Sequence, residues 1–183
     1  KDIISKKWIS SHGKELRMTY KKENLLAKLE KDVVLVAEGY LFELERRGYL
    51  KAGPFVPEAV LKFPDAVREL HLEFLRMGTD VVVAFTYYGH RSKMKAVGLE
   101  DQLETLNVRA VELAKNVADA NGCLTAGNIC NTWEYDTRQI DLSEQKVKNI
   151  FSEQVQWAVS GGVDFIVRRD IAGSDDSGED DEL

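Results

Sequence analysis

The stretch Asp32–His90, DVVLVAEGYLFELERRGYLKAGPFVPEAVLKFPDAVRELHLEFLRMGTDVVVAFTYYGH, decides the fold. It opens on Val33-Val34-Leu35-Val36-Ala37, a short continuous apolar run rich in β-branched residues. Such a run, without alternation, reads as a strand buried on both faces, as strands of parallel sheets are. Glu38-Gly39 ends it, and Tyr40–Arg47 follows with helical spacing and Gly48 as its C-terminal stop. Gly53, Pro54 and Pro57 dictate a loop, because proline lacks the amide hydrogen that a helix or ladder uses. Pro57-Glu58 and Pro64-Asp65 each open a helical segment, with proline in the first turn and an acid facing the helix dipole. Val67, Leu70, His71, Phe74 and Leu75 line one face of the second, and Gly78 stops it. Asp80–Thr86 is then a second buried strand.

The cycle repeats downstream. Leu106, Val108, Val111, Leu113, Ala114 and Val117 give Leu103–Ala120 the pattern of a long amphipathic helix. Asn121-Gly122 turns the chain into a third strand, Cys123–Cys130. Ser143, with Glu144 and Gln145 behind it, reads as the cap of a helix whose core face carries Val147, Ile150, Phe151, Val155 and Ala158. Gly161-Gly162 ends that helix, and Val163–Val167 is a fourth strand. The fold class is α/β, with about four β/α units, as in the N-terminal half of an eight-fold barrel or in a small open parallel sheet. The partial barrel spans 25–167. Residues 1–24 form a basic leader with one short helix and loose attachment, and 168–183 form an acidic, disordered tail. Asn24–Lys31 adds a helical turn or two in front of the first strand.

The chain has 183 residues, a net charge of −6 and an ordinary apolar content. Length and composition fit one globular domain. Lysine and arginine crowd the first 31 residues, while the last nine hold six acids. The acidic balance argues against nucleic-acid binding, and the basic leader reads as a solvated segment. Two cysteines, Cys123 and Cys130, point to a reducing compartment rather than a disulfide framework, so a cytoplasmic location is expected. No apolar stretch approaches the about 20 residues of a membrane span, and no membrane partner is expected. The chain begins with Lys rather than Met, and its last residues, Asp-Asp-Glu-Leu, stand one residue off a retention signal. With no signal peptide in view, the tail reads as solubilising.

In a β/α barrel the site lies at the C-terminal ends of the strands. The candidates there are Ala37-Glu38-Gly39, Phe85–His90, Asn128 with Asn131-Thr132, and Arg168-Arg169. Phe85, Tyr87 and Tyr88 read either as an aromatic wall beside a cationic or sulfur-bearing ligand or as packing beneath the helices. Glu38 reads either as the partner of a substrate ammonium or as a cap on the following helix. His90, after a glycine in a loop, reads as a surface histidine. Cys123 and Cys130 sit at opposite ends of one strand, outside the spacing of structural zinc sites, and read as buried apolar residues. No Cys-x-x-Cys, phosphate-cradling glycine loop or nucleophile elbow is present.

Three ordered blocks carry a resemblance: AEGYLFELERRGYLKAGPFVPEAVL, FLRMGTDVVVAFTYYGHRSKM and AGNICNTWEYD. From about Leu25 to Val167 the chain resembles the betaine–homocysteine branch of the homocysteine S-methyltransferase family. That resemblance implies an eight-stranded (β/α) barrel that moves a methyl group from betaine or a similar donor to homocysteine, giving methionine. It also implies a zinc ion that makes the homocysteine thiol a thiolate. In the family one zinc cysteine lies in an Asn-Cys motif and two in a Gly-Gly-Cys-Cys motif. Neither motif occurs here, and Ile129-Cys130-Asn131 belongs to the third strand. Catalytic residues, metal ligands and a cofactor are therefore not expected on this chain, although zinc is expected of a full-length member. Of the family's substrate contacts, the acid–glycine pair after the first strand falls on Ala37 and Glu38, which moves the charge one position later. The tyrosine of the second strand falls on Tyr88. The glutamate after the fourth strand falls on Arg169, a reversed charge that would repel an ammonium. The substrate-binding residues implied are Glu38, Gly39 and Tyr88.

Three readings follow for the chain: an N-terminal piece of a homocysteine S-methyltransferase, inactive alone; a short non-catalytic paralogue; or an enzyme completed by another polypeptide. The implied partners are homocysteine and a methyl donor. Through open sheet edges a second copy, as a homo-oligomer, or a full-length relative becomes a partner as well.

Overall fold

The computed structural model describes residues 23–51, 53 and 58–168, and the backbone course of 3–9 and 15–21. The proline loop at 54–57, Arg169 and the acidic tail lie outside the described residues. β1 (Ile3–Ile9) and β2 (Glu15–Lys21) pair antiparallel, Ile3 opposite Lys21 and Ile9 opposite Glu15. The short helix expected of the leader is corrected to two strands. The sequence reason is the density of strand formers, Ile3, Ile4, Trp8 and Ile9 in one strand and Thr19 and Tyr20 in the other, which suit a ladder better than a helix.

The main body is a parallel sheet of β3 (Val81–Val83), β4 (Leu124–Ile129) and β5 (Phe165–Arg168), in that order. Val81 stands opposite Leu124, and Ala126 opposite Phe165. Along β3 the side chains alternate as strands require. Val82 and Ala84 pack with Val111, Ala114, Val117 and Ala118 of the long helix behind the sheet. Val81 and Val83 join Leu124 and Ala126 in the larger core.

The expected first strand, Val33–Ala37, is only partly formed. Val36 alone bridges to Val81, with the Ala37 amide donating to the Val81 carbonyl at 3.1 Å. Val33 and Leu35 are 75% and 53% exposed, so this segment is an edge and not a strand buried on both faces. The Asp80 carboxylate substitutes for a neighbouring strand: it accepts from the Leu35 amide and from Lys28 Nζ, both at 3.0 Å. Those bonds, the Leu35 amide first, hold the Asp80 carboxyl below its ordinary range.

The helices follow their sequence signals closely. α1 (Leu25–Leu29) is capped by Asn24, whose side-chain oxygen accepts from the Ala27 amide at 2.9 Å. α2 (Tyr40–Arg46) ends where Gly48, at φ 78°, lets its own amide and that of Tyr49 close back on Glu45 and Leu44. α3 (Ala59–Lys62) and α4 (Pro64–Arg76) follow, and α4 buries Val67, Leu70, His71 and Phe74. α5 (Arg91–Ala96) was not expected; its single buried residue, Met94, leaves no periodic stripe to read. α6 (Leu103–Asn121) and α7 (Ile140–Ser160) pack on the sheet and on one another. α7 starts earlier than its expected cap. Ser143 lies inside the first turns, where its hydroxyl donates to the Gln139 carbonyl at 2.8 Å and accepts from the Asp136 amide at 3.0 Å. Among the described residues no helix is long and apolar enough to cross a membrane.

Candidate functional site

The C-terminal ends of the edge segment, β3 and β4 converge on a cavity of ≈140 Å³. Its lining includes Glu38, Gly39, Tyr40, Phe85, Tyr87 and Asn128. Gly39 is the N-terminal cap of α2 at φ 86°, a conformation that side-chain-bearing residues rarely adopt, and it brings Glu38 onto the wall. Phe85 both packs and lines: it is 4% exposed and stacks on Tyr40 with ring centroids 5.9 Å apart.

Beneath the cavity floor lies a buried polar pair. The Tyr40 hydroxyl meets His71 Nδ1 at 2.9 Å and accepts from the Val83 amide at 3.4 Å. The phenol thus ties α2 to α4 through His71 and to β3 through the Val83 amide. Burial brings the His71 pKa down to about 3 and pushes the Tyr40 phenol above its usual range. Both groups are therefore neutral and act as a fixed spacer between α2, α4 and β3.

The loop after β3 is bolted at nearly every residue. Thr86 Oγ1 donates to the Asn128 carbonyl at 2.7 Å, and the Tyr88 amide donates to Cys130 Sγ at 3.4 Å. The Gly89 carbonyl accepts from Asn107 Nδ2 at 2.8 Å and Gln154 Nε2 at 3.0 Å, two buried amides from α6 and α7. A β-carbon at Gly89 would stand 3.0 Å from the Thr86 carbonyl oxygen, so only glycine fits without a shift. Neither amide was found from sequence. Their signal is a polar residue inside an apolar helix face, Asn107 beside Leu103, Leu106 and Ala110.

These bonds hold Tyr88 at φ 59°, strained for a residue with a side chain. Its ring lies 4.3 Å from that of Tyr87, and Lys93 Nζ sits 4.7 Å over its face. Tyr87, not Tyr88, reaches the lining of the cavity. His90, expected at the surface, is fully buried; it is the N-cap residue of α5, and the Tyr88 ring lies edge-on to it with centroids 6.5 Å apart. Burial first, and the Lys93 charge next, bring its pKa down to about 4. Thr132 is buried and accepts from the Glu134 amide at 3.3 Å, while Arg168 is exposed at the end of β5.

The cysteines do not fit a zinc site. Cys123 Sγ donates to the Ala118 carbonyl at 3.5 Å, and Cys130 lies beyond the other end of β4 against the Tyr88 amide. Among the described residues no group of three or more His, Cys, Asp or Glu could hold a metal ion.

A profile of the homocysteine S-methyltransferases matches residues 35–171, the span that contains the cavity and every bolted loop. The chain belongs to the homocysteine S-methyltransferase family. S-methylmethionine–homocysteine S-methyltransferase BHMT2 of Rattus norvegicus is 41% identical over 147 residues, which are 80% of this chain and 38% of the rat protein. Betaine–homocysteine S-methyltransferase 1 of Bos taurus is 37% identical over 151 residues, 80% of this chain and 36% of the bovine one. The fold is shared with the homocysteine methyltransferase MmuM of Escherichia coli in its oxidized form. That likeness has a TM-score of 0.66 at 24% identity and covers 78% of this chain and 55% of MmuM. This homocysteine S-methyltransferase-family chain thus spans well under half the length of these curated relatives and about half of the MmuM barrel.

Proposed function

We propose that this chain carries the amino-acid-binding half of a homocysteine S-methyltransferase site and that these 183 residues alone transfer no methyl group. The observation that supports it is the cavity at the C-terminal strand ends, inside the family match, with Glu38 and Gly39 on its wall. Its ≈140 Å³ suits a small metabolite, below the roughly 300–1,000 Å³ of sites for drug-sized ligands. Val83, Phe85, Leu41 and Phe42 offer an apolar wall to a methylene chain and sulfur, while Glu38 and Asn128 offer acceptors to a cationic end. Tyr88 backs the wall indirectly, its ring 4.3 Å from that of Tyr87 and 4.7 Å beneath Lys93 Nζ.

Methyl transfer to homocysteine needs the sulfur as a thiolate, the form that attacks a methyl carbon, and a bound metal lowers the thiol pKa enough to supply it. Cys123 and Cys130 are separated by the whole of β4 and do not grip one ion. Titration calorimetry with L-homocysteine is expected to show binding, and a zinc-supplemented assay with betaine or S-methylmethionine is expected to form no methionine. Absence of binding overturns the site assignment; zinc-dependent methionine formation by the pure chain overturns the inactivity. Two buried cysteines, neither in a disulfide, fit the cytoplasm as its compartment.

The exposed edge supports a second reading, a non-catalytic chain that pairs with another polypeptide. Val33 and Leu35 expose apolar side chains at one margin of the sheet, and β5 has no neighbour on its far side among the described residues. Light scattering of the native chain at several concentrations tests it. A single monomeric mass throughout removes the homo-oligomer.

A further inference from the structure

Asn128 is a polar residue in a place that packing does not explain. Its neighbour Gly127 faces α7, where an added β-carbon would stand 3.0 Å from Ala158 Cβ. Strand alternation therefore turns Asn128 to the opposite face, the one it shares with Phe85 and, across the ladder, with Val167. Asn128 and Phe85 both line the ≈140 Å³ cavity. The side chain is 8% exposed, and its amide oxygen has no hydrogen-bond partner. The backbone carbonyl of the same residue is already satisfied by the Thr86 hydroxyl at 2.7 Å, so the side chain is not needed to hold the strand. A buried amide oxygen without a donor is costly to maintain, and a ligand that supplies the donor recovers that cost on binding.

The chemistry of the donor follows from the walls. The cavity offers an amide oxygen and the carboxylate of Glu38, while Val83, Phe85, Leu41 and Phe42 are apolar. An anionic group is disfavoured beside Glu38, and a positively charged N–H donor is favoured. We propose that Asn128 is a specificity-determining residue, whose side-chain oxygen accepts a hydrogen bond from the ammonium group of an amino-acid thiol held in this cavity. The inference rests on the homocysteine-binding reading and adds the atom that selects the amine.

The experiment compares two ligands on the full 183-residue chain by titration calorimetry. One is L-homocysteine; the other is 4-sulfanylbutanoate, the same molecule without its amine. The unsubstituted chain is expected to prefer L-homocysteine by about tenfold or more, the size of one hydrogen bond to a charged group. Asn128→Leu, of similar volume, is expected to remove that preference while leaving the affinity for 4-sulfanylbutanoate unchanged. Asn128→Asp, which keeps the shape and adds charge, is expected to widen it, and serves if the leucine variant does not fold. A preference that survives intact in whichever variant folds overturns the role of Asn128 alone. Equal binding of both ligands by the unsubstituted chain does the same. If the unsubstituted chain binds neither, the homocysteine reading fails and this inference fails with it.

Discussion

His71 and His90 are buried with depressed pKa values, and together they make the stability of the molecule depend on pH. In the unfolded chain each takes a proton near 6.5, whereas in the fold they resist it to about 3 and about 4. Between those limits the unfolded state holds more protons, so acid favours unfolding. Their contribution is complete above pH 6.5 and is lost as pH falls toward 4, at about 1.4 kcal/mol per pH unit for each histidine. Urea denaturation between pH 7 and pH 5, where few carboxylates titrate, is expected to show this slope. His90→Gln is expected to reduce the slope by about half, and an unchanged slope would remove His90 from the account. The burial of His71 was legible, since it shares a helical stripe with Val67, Leu70 and Phe74. Its partner was not, because Tyr40 belongs to another helix and periodicity says nothing about which stripes meet. His90 was misread for a related reason: it is the N-cap residue of α5, a helix too short to announce itself.

α6 and α7 meet with almost no slack at Gly161. A β-carbon there would lie 2.3 Å from Val111 Cγ1, although the backbone at Gly161 is ordinary helical geometry at φ −77°. The requirement is steric rather than conformational. Gly161→Ala is expected to cost about 1–3 kcal/mol by overpacking, as chemical denaturation would measure. Adding Val111→Ala should return about 1 kcal/mol or more of that loss through the coupling of two residues in contact. Strictly additive effects would show that the helices simply move apart. The long helices were the most legible part of the chain, because α6 and α7 carry several turns of apolar spacing between clear glycine stops. The strands were legible in order but not in extent. Val33–Ala37 has the composition of a central strand, and composition does not reveal that one of its sides has no neighbouring strand among the described residues. Of the candidate site, the strand-end positions of Glu38 and Gly39 could be read from sequence, whereas the tyrosine chosen there was Tyr88 and it is Tyr87 that lines the cavity. The Asn107–Gln154 clamp on Gly89 could not, because it joins three elements across the fold.

At the scale of the whole molecule, and among the described residues, the sheet has two bare margins, Val33–Ala37 and β5. If the chain pairs through them, replacing Val33 and Leu35 together with lysine should shift its sedimentation to the monomer without unfolding it, since both side chains are exposed. Sedimentation unchanged by the double substitution would rule this margin out as a contact. The order of the sheet carries a consequence for how the protein is made. Neighbours in space are neighbours in sequence, Val36 with β3, β3 with β4 and β4 with β5, each separated by roughly forty residues that include a helix. A ribosome delivers these units in the order in which they stack, so each can dock on the one before it while the next is still being translated. Growth of this kind leaves a receptive margin after every step. A chaperone that shields the margin left by the latest strand would therefore act between one docking step and the next.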